Sequence, residues 1–250
     1  MSAIRAIAKA VVPESIPRFL RASHRNYVFA RAMKEFRRDP YSSLSPASDV
    51  MSDLVYGWGN EDWSASVEYL TGCLKEVLLC DGSILECGSG LTTVTVGVIA
   101  ERAGSTVYSL ENDEPWLDRV SRYLAKYQIT SVHLLLSPLR DYGSFSWYAP
   151  PLGSMPDRFS LVICDGPPGD TRGGRYGLLP IMKERLAPGC IIVLDDARRR
   201  EEQAIAARWA EELDATIELR GSKDPYFRIG DLKSEEPDST SLDTLSLGAG

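Results

Sequence analysis

The chain has 250 residues, 44% of them hydrophobic and 25% charged, with a formal net charge of -7. This composition excludes collagen-like and disordered chains and is enough for one well-filled core with appendages. No run reaches the roughly 18 uncharged apolar residues of a membrane span, and the N-terminus lacks the long apolar core of a signal peptide.

Five scattered cysteines, Cys73, Cys80, Cys87, Cys164 and Cys190, form no C-x-x-C pair, so a reduced, cytoplasmic setting is expected. Charge is unevenly placed. Residues 1–40 carry nine Lys/Arg against Glu14, Glu35 and Asp39, which makes this arm +6 and the remainder -13. The acidic body is therefore not expected to bind nucleic acid in general. The arm suits one of two roles: an anchor on an anionic membrane surface, with Ile4, Ile7 and Val11 dipping into the interface, or a packed lid or homodimer contact. Phe19, Tyr27, Phe29 and Met33 favour packing, because burial rewards apolar area that a surface anchor leaves unused.

In chain order, Ile4, Ile7 and Val11 recur at helical spacing, and a second helix is predicted over Arg18 to Arg38, ended by Asp39-Pro40. The stretch YSSLSPASD reads as a linker, so residues 1–55 form a basic helical extension with its linker. A helix over Ser66 to Leu79 gathers Val67, Leu70, Leu74, Val77 and Leu78 on one side. From Ser83 the pattern alternates: strand 83–87, helix from Thr92, strand 105–111, helix 114–127, strand 131–136. After a Pro/Gly/aromatic loop come strand 159–164, a helix to Leu186, strand 190–194, helix 198–213, and two further strands at 215–220 and 226–232. Strands that are apolar throughout and separated by helices indicate a mostly parallel sheet covered by helices on both faces, a Rossmann-like α/β domain over residues 56–232. An acidic tail, 233–250, is expected to be disordered.

The first strand-to-helix turn, ILECGSGLTTVTVG, carries the first set of candidates. Gly88, Ser89 and Gly90 let a ligand approach the backbone, and Glu86 is placed to receive an ammonium group or to hold the loop through backbone N–H groups. Glu111, with Asn112 after it, ends the second strand 21 residues beyond Gly90, where a carboxylate can accept both hydroxyls of a ribose. A nicotinamide-dependent oxidoreductase would use the same crevice, but Thr93 stands where its fingerprint needs a third glycine. A catalytically silent adenosyl-binding module also fits these residues, whereas no acid-rich polyamine motif supports an aminopropyltransferase.

Asp165 follows the fourth strand and Asp195 and Asp196 the fifth, so all three carboxylates should emerge on the ligand side of adjacent strands, or serve there as turn and cap residues. Arg172 and Arg175 lie in the glycine-rich loop GDTRGGRYG, suited to an anionic substrate group. Trp58 and Asn60, in YGWGNEDW, are expected to line the cofactor entrance, and RDYGSFSWYAPPLGSMP reads as a long lid. His133 is expected in the core or at a strand end and His24 in the basic arm, so neither offers a base.

The motifs LECGSGLTT, SLENDEPW and FSLVICDGPPGDTRGGRYGLLPIMKERLAPGCIIVLDDARR, in this order, resemble those of class I S-adenosylmethionine-dependent methyltransferases, and in particular the small-molecule enzymes of the catechol O-methyltransferase type. The resemblance spans roughly Tyr56 to Leu232. It implies a seven-stranded sheet with an antiparallel final strand, S-adenosylmethionine over Gly88 and Gly90 with Thr93 in the same loop, Glu111 on the ribose, and O-methylation, or less favourably N-methylation, of a small molecule or sugar-containing metabolite. It also implies Mg²⁺ held by Asp165, Asp195 and Asp196, with Asp-Asp in place of the Asp-Asn of those relatives. Their lysine three residues after the first acid is Pro168 here, which leaves either a metal or one of the aspartates to activate the acceptor.

Overall fold

The computed structural model describes residues 18–45, 47–59 and 65–232. The predicted helix of Ile4, Ile7 and Val11, the entrance residue Asn60 and the acidic tail lie outside the described residues. Helices α1 (Arg18–Arg38), α2 (Asp49–Trp58) and α3 (Val67–Leu79) precede a repeating unit: β1 (Ile84–Cys87), α4 (Leu91–Ala103), β2 (Val107–Glu111), α5 (Glu114–Lys126) and β3 (Val132–Leu136). A small hairpin, β4 (Leu139–Asp141) and β5 (Ser146–Tyr148), leads to β6 (Phe159–Cys164), α6 (Leu178–Met182), β7 (Leu186–Leu194), α7 (Arg200–Leu213), β8 (Ala215–Arg220) and β9 (Tyr226–Leu232).

Seven strands form one sheet in the order β3-β2-β1-β6-β7-β9-β8. Six run in one direction, and β9 lies antiparallel between β7 and β8, as the resemblance implies. From β1 the chain runs outward through β2 to β3, then returns to pair β6 with the other side of β1. That reversal opens a crevice at the carboxyl ends of β1 and β6, the position where doubly wound sheets take ligands.

The central strands are apolar on both faces because both faces are covered. Ile84, Leu161 and Ile163 face a core built with α1 to α5. Leu85, Cys87, Val162 and Cys164 face a second core built with the hairpin, α6 and α7. All five cysteines are unpaired.

Several sequence expectations shift. The segment after the predicted linker is a helix, α2, whose Met51, Leu54 and Trp58 are buried at helical spacing and which ends on Gly59 in the left-handed conformation (φ 74°). Strand β7 starts at Leu186 rather than Cys190, and the helix before it shrinks to α6 flanked by 3-10 turns. The expected lid is a hairpin rooted in the core, with Trp147 and Tyr148 buried. His133 sits mid-strand on the exposed edge strand β3, its ring stacked on Tyr108.

Helix α1 packs on the body through Phe29, Met33 and Phe36, all buried, while Tyr27 points to solvent. The crossing with α2 is close because Gly57 has no side chain: a Cβ there would meet Phe29 Cβ at 2.7 Å and its backbone N and Cα at 2.8 Å. Gly57→Ala must therefore push the helices apart, at a cost of about 1–3 kcal/mol. A lower melting temperature is expected for Gly57→Ala, and an unchanged one for Gly153→Ala, whose added Cβ would meet nothing within 4 Å.

Candidate functional site

A cavity of about 530 Å³ fills the crevice. Its floor is the turn after β1. Gly88 has a φ of +89°, and a Cβ on it would come within 3.0 Å of the Gly166 backbone nitrogen, so the β1 and β6 turns approach as only glycines allow. Gly90 faces open space, with nothing within 4 Å of where a Cβ would stand. Ser89, Asn112 and Trp116 line one side, and Tyr148, Asp165 and Asp195 the other.

Glu86 and Thr93 lie beneath this turn, fully buried, and do not reach the cavity wall. The Gly90 N–H donates to Thr93 Oγ1 (2.8 Å), and the Thr93 and Ser109 hydroxyls donate to Glu86 Oε2 (2.7 and 2.5 Å). Glu86 thus supports the loop through a threonine relay, neither binding backbone N–H groups directly nor meeting an ammonium group. Burial pushes its pKa up to about 7, against the lowering effect of the Ser109 and Thr93 bonds. The folded state holds this proton more tightly than the unfolded chain, so stability from Glu86 is full below about pH 4.5 and is lost as pH rises towards 7. Glu86→Gln keeps an acceptor and removes the ionisation. Thermal melts should therefore show the variant gaining on the wild type between pH 5 and pH 8; a gap that does not change with pH would contradict this.

Glu111 is aimed by four bonds. Ser89 N and Oγ donate to Oε2 (3.2 and 2.6 Å), and Asn112 N and Asp113 N to Oε1 (2.8 and 2.9 Å). Trp116 Nε1 donates to the Ser89 carbonyl (2.8 Å), fixing the loop from the neighbouring helix.

The three aspartates are brought together as expected. Asp165 N and Gly166 N both bond the Cys87 carbonyl, and Asp195 N bonds the Cys164 carbonyl, so each turn is pinned to the end of the adjacent strand. Arg175, expected in an open substrate loop, is instead buried among them. Its Nη2 donates to Asp196 Oδ2 (2.7 Å), Asp165 Oδ1 (3.1 Å) and the Asp165 carbonyl (2.7 Å), and its Nη1 to the Asp195 carbonyl (3.0 Å). Burial alone would depress its pKa, but Asp165, Asp196 and Glu202 hold it above its ordinary value. Burial raises Asp165 to about 6, although Arg175 opposes the shift, and burial with the Asp165 charge raises Asp195 well above the carboxylate range. Asp196, at a φ of +62°, also pairs with Arg199 (2.8 Å), a residue of the cavity wall.

Arg172 is exposed and pairs with Asp141 of the hairpin, away from the cavity wall. Trp58 is a core residue packed on Phe29, Tyr123 and Trp116 and touches a smaller neighbouring cavity rather than the crevice. Trp116, Tyr148 and Arg199 were not singled out from the sequence. SLENDEPW and DDARR held two of them in plain view, but only the fold shows which way each side chain points.

No protein-family profile matches the chain, and no curated protein matches it in sequence. Solved structures do match its fold. A caffeoyl-CoA O-methyltransferase-like protein of Staphylococcus aureus aligns over 80% of this chain and 98% of its own, at 12% identity and a TM-score of 0.55. The SAH-bound methyltransferase PaMTH1 of Podospora anserina aligns over 88% and 98%, at 14% identity and a TM-score of 0.52. The fold is that of the class I S-adenosylmethionine-dependent methyltransferases. Among the described residues no helix is long and apolar enough to cross a membrane.

Within this methyltransferase fold, the carboxylate cluster does not fit the divalent metal that the sequence resemblance implies. Asp165 and Asp196 already share one guanidinium nitrogen, and the Asp195 carboxylate accepts the Asp196 N–H (2.7 Å). Among the described residues no three His, Cys, Asp or Glu side chains are grouped so as to hold a metal ion.

Proposed function

We propose that the crevice binds S-adenosylmethionine and that the chain transfers its methyl group to an oxygen of a small hydroxylated acceptor. The observation that carries this reading is one cavity lined by two acids in different settings, Glu111 locked beside the glycine turn by four hydrogen bonds and Asp165, across from it, raised by burial to about 6. The cavity, at about 530 Å³, lies within the range of small-molecule sites, about 300–1,000 Å³. The open face of Gly90 suits a ligand lying on the loop, and Glu111 suits a ribose diol. Bound S-adenosylmethionine supplies a methyl group on a cationic sulfur.

The chain's own part is alignment, proton removal and exclusion of water. Trp116 and Tyr148 wall the cavity with aromatic surface, and Tyr148 is held by Tyr142, whose hydroxyl donates to the Tyr148 carbonyl (3.1 Å). The Asp165 carboxylate, charged above about pH 6, accepts the acceptor's hydroxyl proton. Five unpaired cysteines suit a reduced, cytoplasmic compartment.

Calorimetry should show adenosylhomocysteine binding and no heat from NAD. Glu111→Ala should weaken that binding about tenfold to a hundredfold, since bonds to a charged partner contribute about 1.5–3 kcal/mol. NAD binding without adenosylhomocysteine binding would reject the reading, and binding without turnover across a panel of hydroxylated acceptors would reduce it to a binding module. Asp165→Asn should leave adenosylhomocysteine affinity nearly unchanged while lowering turnover by about 10²-fold or more. The wild-type rate should fall as pH drops through about 6, a limb that the variant loses.

A further inference from the structure

The carboxylates at the ends of β6 and β7 are gathered around a positive charge that belongs to the chain. Arg175 is 2% exposed. One of its nitrogens, Nη2, is within hydrogen-bond reach of both the Asp165 and Asp196 carboxylates, and the other meets the Asp195 carbonyl. A third acid, Glu202 of α7, is 1% exposed and lies 4.0 Å from the same guanidinium. The guanidinium thus touches both strand-end turns and faces α7, contacts of the kind a polydentate ion would make. Guanidinium does not lose its proton in a protein, so this charge cannot be titrated away to admit another cation.

We propose that Arg175 is the resident cation of this site, standing where a divalent ion would have to sit between Asp165 and Asp196, so that the site works without metal and Arg175 acts as a positioning residue for Asp165. This deepens the methyl-transfer reading, because Asp165 is the base named there, but the geometry holds for any chemistry in the crevice. Two consequences follow from charge alone. A divalent ion approaching the cluster meets a fixed positive charge with the carboxylates already engaged. Removing the guanidinium leaves Asp165 without a cationic partner, while the half-exposed Arg199 remains on Asp196 and Glu202; the vacated space between Asp165 and Asp196 then lets these hard oxygen donors close on a divalent ion that Arg175 had kept out.

The test uses Mn²⁺ alone, followed by electron paramagnetic resonance on the full chain, and needs no turnover, so it can fail independently of the methyl-transfer reading. The wild type should bind no more Mn²⁺ at millimolar concentration than Asp165→Asn/Asp196→Asn does. Arg175→Ala, shown to be folded by circular dichroism and a cooperative melt, should gain a single Mn²⁺ site that disappears when Asp165→Asn is added. Restoring a cation with Arg175→Lys should abolish the gained site. Wild-type Mn²⁺ binding that is lost in Asp165→Asn/Asp196→Asn would overturn the proposal, as would a folded Arg175→Ala that gains no site. If Arg175→Ala does not fold, the comparison of wild type with the double aspartate variant still decides.

Discussion

The site depends on the close approach of two backbone turns. Gly88 and Gly166 face each other across the gap where β1 and β6 part, and the Cys87 carbonyl accepts from both Asp165 N and Gly166 N. No side chain fits between these turns, so the crevice keeps its floor and its carboxylates emerge at a fixed height above it. The β2 end is locked to the same floor through Ser89 and Glu111. Sheet topology provides the opening, and these contacts decide which groups face into it.

Around that floor the chain buries more charge than packing requires. Glu86 lies below the loop, and Asp165, Asp195, Arg175 and Glu202 are grouped to one side. Breaking a buried ion pair by removing one partner typically costs about 3–5 kcal/mol, whereas apolar replacements of similar volume are often neutral. Such a cluster is therefore weak evidence of a device for stability. It is better explained by what it does to proton affinity: burial raises Glu86 under the loop to about 7 and Asp165 on the wall to about 6, both above the ordinary carboxylate range. Pushing neighbouring acids to different ionisation states is how a single site separates structural from chemical roles.

The sheet was legible in the sequence because its strands are continuous apolar runs of four to six residues separated by helical periodicity, as in LVIC and IIVL. The glycine turn and Glu111 were legible because their placement depends only on strand ends. What the sequence concealed were directions and partners. Glu86 and Gly88 are two residues apart, yet one points into the core and the other onto the cavity, a consequence of strand alternation that ends at the turn. Arg175 reads as an arginine of an open substrate loop because GDTRGG is rich in glycine and polar residues, but the 3-10 turn at Gly174–Gly177 swings it inward against three acids that are 10 to 27 positions away in sequence. Helix α2 has apolar spacing of its own, in Met51, Leu54 and Trp58, but the Ser/Pro run before it masks that signal.

The hairpin of β4 and β5 occupies the place where a connection between parallel strands commonly carries a helix. A helix in that position would present a rigid cylinder whose length is set by the sheet. A hairpin instead fixes its base, through Trp147 and Tyr148, and one side of its tip, through Phe145, while Gly143 and Ser144 stand exposed. The turn at Gly143 and Ser144 can therefore lengthen or shorten without disturbing a single strand register of the large sheet. Change at that turn is thus separable from the floor that Gly88, Gly166 and Glu111 set beneath the crevice.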